Sequence, residues 1–325
     1  MPRRVAHSLL ALVALLALAP AALAARAPPS GPRPTGRIGL ELDGAFSVHG
    51  RTLAVTGREL QIRGRIVPYI AGQQVSVRIW RGHTLLKTVA AAPKPTHTGK
   101  TATFSVSFQP ERPGDVQVFA LHERTPEQRR LLARAALSVL TPKAGPGTRS
   151  PFVALMQQRL AAVGYATPQS GVYDAATGRA VVAFRKVNGM PRITTLSPVI
   201  VDRLMRGIGG FKIRYPQHGR HVEANLGWQV LALIDRGRVV RAYVTSSGKP
   251  STPTVLGSFR FYMREPGTNS HGMVYSTYFL RGYAIHGYYD VPTYNASHGC
   301  LRVPIPDAYA IYSWVHLGDR IDVYY

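Results

Sequence analysis

His286-Gly287-Tyr288-Tyr289-Asp290-Val291-Pro292-Thr293-Tyr294-Asn295-Ala296-Ser297-His298-Gly299-Cys300-Leu301-Arg302 contains the only cysteine of a 325-residue chain. A thiol becomes a useful nucleophile when a base takes its proton or when nearby positive charge lowers its pKa. His286 and His298 are close enough in sequence for a loop to return one imidazole to the sulfur. Gly287 and Gly299 let backbone approach closely, and consecutive N–H groups around His298 to Cys300 are placed to face a developing oxyanion. These are the parts of a cysteine acyl-transfer site. Two other readings compete. A lone cysteine is commonly a small buried hydrophobe. Two histidines and a cysteine also suggest zinc, but His298-x-Cys300 is not a usual ligand spacing and no fourth ligand is evident. No metal and no cofactor are implied.

Outward from this stretch the pattern is that of short strands. Gln229 to Ile234 and Val239 to Thr245 are apolar-rich runs joined through Asp235-Arg236-Gly237-Arg238, a hairpin signal. Phe259, Phe261 and Met263 alternate, predicting one inward face. Ala308, Ile311, Tyr312 and Val315 define a helix face begun near Pro306 and stopped at Gly318, and Ile321 to Tyr325 is a closing strand. Nothing alternates as parallel βαβ units, so a mostly antiparallel β-sandwich with a short helix is expected.

With Ser247-Gly248-Lys249-Pro250, Thr252-Pro253-Thr254 and Gly257 added to Ile285-His286-Gly287 and Ser297-His298-Gly299-Cys300-Leu301-Arg302, residues 217–325 resemble the L,D-transpeptidase catalytic domain, also called YkuD. Ser270-His271-Gly272 repeats three residues of the signature, but Met273 follows, so it has no nucleophile. The resemblance implies that Cys300 attacks the carbonyl joining the third residue of a peptidoglycan stem to D-Ala. A thioester forms, and a second stem's amine takes the acyl group in a 3-to-3 cross-link. It implies His286 as general base, with the Gly287 carbonyl as its orienting partner. His298 then shapes the pocket, Ser297 fixes the loop, and Arg302, Lys249 and Tyr288 contact substrate. Water or a protein amine as acceptor would make the enzyme an L,D-carboxypeptidase or a protein-attaching transpeptidase. A non-catalytic wall-binding protein is the alternative from another class. If the imidazole sustains a thiolate, alkylation of Cys300 should titrate below the ordinary thiol value of roughly 8.5.

Upstream, Phe152, Leu155, Met156, Leu160 and Val163 follow helical spacing to a stop at Gly164. Asp174 precedes a second stripe of Ala180, Val181, Phe184 and Val187 ending at Asn188-Gly189, and a third segment runs from Pro198 to Leu204. Leu155-Met156-Gln157-Gln158-Arg159-Leu160, Gly164-Tyr165, Gly171-Val172-Tyr173-Asp174, Thr177 and Ala180-Val181-Val182-Ala183-Phe184 resemble the three-helix peptidoglycan-binding domain over 151–207. Arg185 departs from the glutamine usual there, and the final helix is degenerate around Pro191 to Pro198. From Arg37 to Leu140, alternating runs such as Val75, Val77 and Ile79 predict an immunoglobulin-like β-sandwich acting as a spacer or adhesive module.

Arg3 and Arg4, an apolar run from Leu9 to Ala19 and Ala22-Leu23-Ala24 read as a cleaved export signal over 1–24. A Pro/Gly/Ala/Arg tether covers 25–36, and further linkers cover 141–150 and 208–216. The expected organisation is therefore signal, tether, sandwich (37–140), helical module (151–207) and catalytic domain (217–325), a mainly β, multidomain chain of the cell envelope. No other apolar stretch is long enough to span a bilayer, so no transmembrane helix is expected in the mature chain. The formal charge of +24 is spread along the sequence. It favours polyanionic surroundings, and export turns that from nucleic acid toward wall polymers and the stem peptides and glycan of peptidoglycan.

Overall fold

The computed structural model describes residues 35–325. The expected signal and nearly all of the tether lie outside them. Two sheets form the N-terminal sandwich. One orders the strands Arg37–Asp43, Leu60–Val67, Ala102–Phe108 and Lys94–Pro95. The other orders Phe46–Val48, Arg51–Val55, Leu131–Leu140, Gly114–His122, Val75–Arg81 and Thr84–Ala91. Period-2 alternation sends Val75, Val77 and Ile79 from one sheet, and Ala102, Phe104, Val106 and Phe108 from the other, into a shared core. Each large apolar side chain so buried contributes about 1.5–3 kcal/mol. Ala102–Phe108 and Gly114–His122 lie in different sheets, so residues 109–113 cross the sandwich.

Three helices follow: α1 (Pro151–Ala162), α2 (Ala175–Val187) and α3 (Pro198–Met205). Ser150, Asp174 and Ser197 accept hydrogen bonds from Val153 N, Thr177 N and Ile200 N, satisfying otherwise unpaired first-turn amides. Gly164, at φ +92°, ends α1 in the left-handed region. Phe152, Leu155, Met156, Leu160, Ala180, Val181 and Phe184 are buried, while Val163 and Val187 are partly so. Their core also takes in Val48, Leu53 and Val55 of the sandwich and Val230, Ala232, Ile234, Ala242 and Val244 of the C-terminal region. Arg185 is buried, donating to the carbonyls of Thr195 and Pro191, so it ties down the irregular segment before α3.

The C-terminal region stacks two further sheets. The first orders Arg238–Val244, Val230–Asp235, His221–Asn225, Arg320–Tyr324 and Gly257–Arg260; the second orders Met263–Thr268, Val274–Leu280, Tyr283–Tyr288 and Leu301–Pro304. Val222, Ala224 and Ile321 of the first pack against Ile285, Leu301 and Val303 of the second and against Ala308 and Ile311 of α4 (Ile305–Trp314). Arg236 (φ 49°) and Gly237 (φ 69°) form the two-residue turn of the expected hairpin.

One expectation needs correction. Met263 is exposed: the chain leaves the first sheet after Arg260 and enters the second at Met263, which breaks the alternation begun by Phe259 and Phe261. The pairing is mostly antiparallel, as expected, with two parallel pairs: His221–Asn225 with Arg320–Tyr324, and Tyr283–Tyr288 with Leu301–Pro304. The thiol immediately precedes the second strand of the latter pair.

Candidate active site

Across that parallel pair Ile285 is opposite Leu301 and His286 is opposite Arg302. Successive residues of a strand alternate in face, so His286 and Arg302 share one face, and Cys300 lies immediately before the second strand. The partly exposed sulfur lies over the tip of the adjoining hairpin, where its Sγ donates to the Gly282 carbonyl at 3.4 Å. That tip is tight because Arg281 takes φ 46° and the strands close at Leu280 and Tyr283.

His286 is 3% exposed, and its Nδ1 lies 3.0 Å from the Gly287 carbonyl oxygen. A carbonyl only accepts, so Nδ1 carries the proton and Nε2 is the free base. Gly287 has a second duty. A Cβ there would come within 2.8 Å of Ala308 Cβ and 3.2 Å of Ile305 Cα, so only glycine lets α4 lie this close to the strand. Tyr288 packs edge-on against the His286 ring at 5.6 Å, and the Arg302 guanidinium lies 4.2 Å from the Tyr288 ring centroid. Arg302 is 9% exposed, with Nη1 3.6 Å from Asp290 Oδ2.

The loop before the thiol is held from below. Ser297 is buried; its Oγ donates to the Cys300 carbonyl at 2.6 Å and accepts from Gly299 N at 3.1 Å. Gly299 adopts φ +121°, and a Cβ there would meet the Tyr283 ring at 2.7 Å. The stretch from Ser246 to Thr254 forms the other wall. Ser246 and Arg302 exchange both backbone hydrogen bonds, Ser247 O accepts from the amides of Ala296 and Ser297, and Lys249 N donates to Ser297 O. Thr254 Oγ1 accepts from Gly248 N and donates to Gly299 O, both at 2.8 Å. Lys249 Nζ is 3.3 Å from Nε2 of the exposed His298.

The electrostatics describe a neutral pair at rest. Burial pushes the Cys300 thiol pKa up, against the opposing pull of an Ala284 backbone hydrogen bond and the Arg302 charge. Burial also pushes His286 below the ordinary imidazole value; the Gly287 carbonyl opposes this and Arg302 reinforces it. Both directions favour thiol and imidazole over thiolate and imidazolium. A preformed ion pair is therefore disfavoured, because desolvation outweighs the charge of Arg302.

The structure thus brings Cys300, His286, Gly287, Ser297, Gly299, Arg302 and Tyr288 together, with Lys249 and His298 on the exposed rim. Of the amides expected to face an oxyanion, that of Gly299 is already engaged by Ser297. Thr254, from the quoted Thr252-Pro253-Thr254 motif, Tyr283 and Gly282 also belong to the site; of these Gly282 carries no distinguishing sequence signal. The repeat Ser270-His271-Gly272 forms a hairpin loop closed by Asn269 N to Met273 O. Among the described residues no group of three or more His, Cys, Asp or Glu side chains is arranged to hold a metal ion.

A family model of the L,D-transpeptidase catalytic domain (YkuD) matches residues 219–323, and one of a peptidoglycan binding domain matches residues 149–194. The solved L,D-transpeptidase of Xylanimonas cellulosilytica (residues 123–326) is 34% identical. The match covers 56% of this chain and 100% of that one, with a TM-score of 0.51. The L,D-transpeptidase (Yku) of Stackebrandtia nassauensis is 19% identical over 56% of this chain and 95% of that one, with a TM-score of 0.36. No curated protein matches the sequence. The fold, the site and the first of these relatives define a cell-wall transpeptidase. The chain belongs to the L,D-transpeptidase family, with a peptidoglycan-binding module ahead of its catalytic domain.

Proposed function

We propose that this chain is an exported L,D-transpeptidase that forms 3-to-3 cross-links between peptidoglycan stems through a thioester on Cys300. The observation that carries the reading is the parallel register that pairs His286 with Arg302, with Cys300 immediately before the second strand. Attack of Sγ on the carbonyl preceding D-Ala passes the thiol proton to His286 Nε2. The imidazolium then gives that proton to the leaving D-Ala amine. An amine of a second stem enters, loses a proton to the same nitrogen and takes the acyl group, which restores the thiol. The His298 and Cys300 amides face the oxyanion in this scheme, while Arg302 and Lys249 attract the stem carboxylates.

The helical module holds the enzyme on glycan, and the sandwich acts as a spacer between the wall and the tether that follows a cleaved signal. The units run 37–140, 151–207 and 217–325. The basic surface suits anionic wall polymers. Intact-protein mass spectrometry tests the chemical core. Incubation with disaccharide-tetrapeptide should add the acyl fragment, less D-Ala, to the wild type and nothing to Cys300→Ala. An adduct on the variant, or none on a folded wild type that consumes substrate, would exclude Cys300 as nucleophile.

A further inference from the structure

Lys186, on α2 of the helical module, is 4% exposed and lies against the catalytic region. Its Nζ donates to the carbonyls of Gln229 at 3.0 Å and Thr245 at 3.2 Å. No carboxylate among the described residues pairs with it, and burial together with the Arg192 charge pushes its pKa down to about 7. A lysine amine buried without a carboxylate partner is costly whether charged or neutral. A position that needed only to be filled would be served by methionine or leucine.

What the amine grips are the two ends of the hairpin beside the active-site loop. Gln229 holds the left-handed region at φ 56°, unusual for a residue with a side chain. Its carbonyl also accepts from Thr245 N. From there two chains of hydrogen bonds run to the site. Gln229 Oε1 accepts from Ser247 N at 2.8 Å and Gln229 Nε2 donates to Ser247 Oγ at 2.7 Å. Ser247 O in turn holds the Ala296 and Ser297 amides, and Ser297 Oγ holds the Cys300 carbonyl. On the other side Thr245 Oγ1 donates to the Arg302 carbonyl at 2.8 Å.

We infer that Lys186 is a positioning residue through which the peptidoglycan-binding module fixes the Ser297 to Arg302 loop, so that the module sets catalytic geometry as well as holding the wall. This rests on Cys300 as nucleophile, which the acyl-adduct experiment tests separately. Docking itself has a second anchor: Arg179 pairs with Asp307, in the first turn of α4, through two hydrogen bonds of 2.8 and 2.9 Å.

The test compares Lys186→Met, Lys186→Arg and Arg179→Ala in the full chain by thermal melting and by kcat and KM on disaccharide-tetrapeptide. Lys186→Met should lower kcat at least tenfold with KM within about twofold, Lys186→Arg should recover part of that loss, and Arg179→Ala should leave kcat within about twofold. A folded Lys186→Met enzyme with wild-type kcat, or an equal kcat loss in Arg179→Ala, would overturn the inference. If Lys186→Met does not fold, Thr245→Val cuts the link to Arg302 instead. It should lower kcat at unchanged KM, and an unchanged kcat would overturn the inference.

Discussion

His286 and Arg302 are register partners across two parallel strands, and Cys300 immediately precedes the second of them. The base and the cation are therefore fixed by strand pairing, while the nucleophile is held at the strand's start by the Ser297 hydrogen bonds of its loop. Sites on such rigid elements hold geometry better than sites on loops.

Burial raises the Cys300 pKa and lowers that of His286. The free enzyme should therefore be alkylated by iodoacetamide with an apparent pKa above the ordinary thiol range, while activity survives below pH 6.5 because His286 stays neutral there. A profile titrating below about pH 8 would show an ion pair at rest. Because the folded imidazole pKa is depressed, its contribution to stability is complete above the unfolded value of about 6.5 and declines as pH falls toward the folded one.

Arg302 lowers both pKa values through its charge. Arg302→Met should accordingly raise both, moving the alkylation curve and the acid limb of kcat/KM to higher pH. A variant whose two limbs stay in place would show that the guanidinium acts only by packing on Tyr288.

Gly287 lies where α4 crosses the strand, and an added methyl would press on helix backbone as well as on Ala308. Gly287→Ala should cost about 1–3 kcal/mol, since overpacking of this kind forces backbone shifts. Chemical denaturation measures it; a variant as stable as the wild type would mean that the helix shifts without cost.

Away from the site, Glu223 is fully buried and accepts from Arg214 N, Tyr215 N, Tyr324 Oη and His221 Nε2. Burial alone would raise its pKa, but these donors hold it below the usual carboxylate value, and His221 is held above the usual imidazole value despite its own burial. Removing the charge should cost about 3–5 kcal/mol, as for other broken buried pairs. Glu223→Gln read by denaturant unfolding checks this. The Glu223 contribution is present above about pH 4.5 and fades as pH falls through the lower folded pKa, whereas that of His221 is lost as pH rises through its raised one.

The sequence reading reached the cysteine, both histidines and the mainly β plan with a helical module because these depend on local patterns: the only thiol beside glycine and histidine, period-2 runs, and helices with capping residues. It missed the side chains that hold the loop from a distance, such as Gln229 and Lys186, because their partners lie up to 59 residues away in sequence. It misjudged Met263 because alternation says nothing of where a chain changes sheets.

The most direct test is mass spectrometry of the products formed from disaccharide-tetrapeptide by the purified chain, beside Cys300→Ala. Cysteine-dependent release of D-Ala with a dimer joined through the third stem residues is the predicted result. Dimers formed equally by Cys300→Ala, or no D-Ala release by folded wild-type enzyme, would contradict the account.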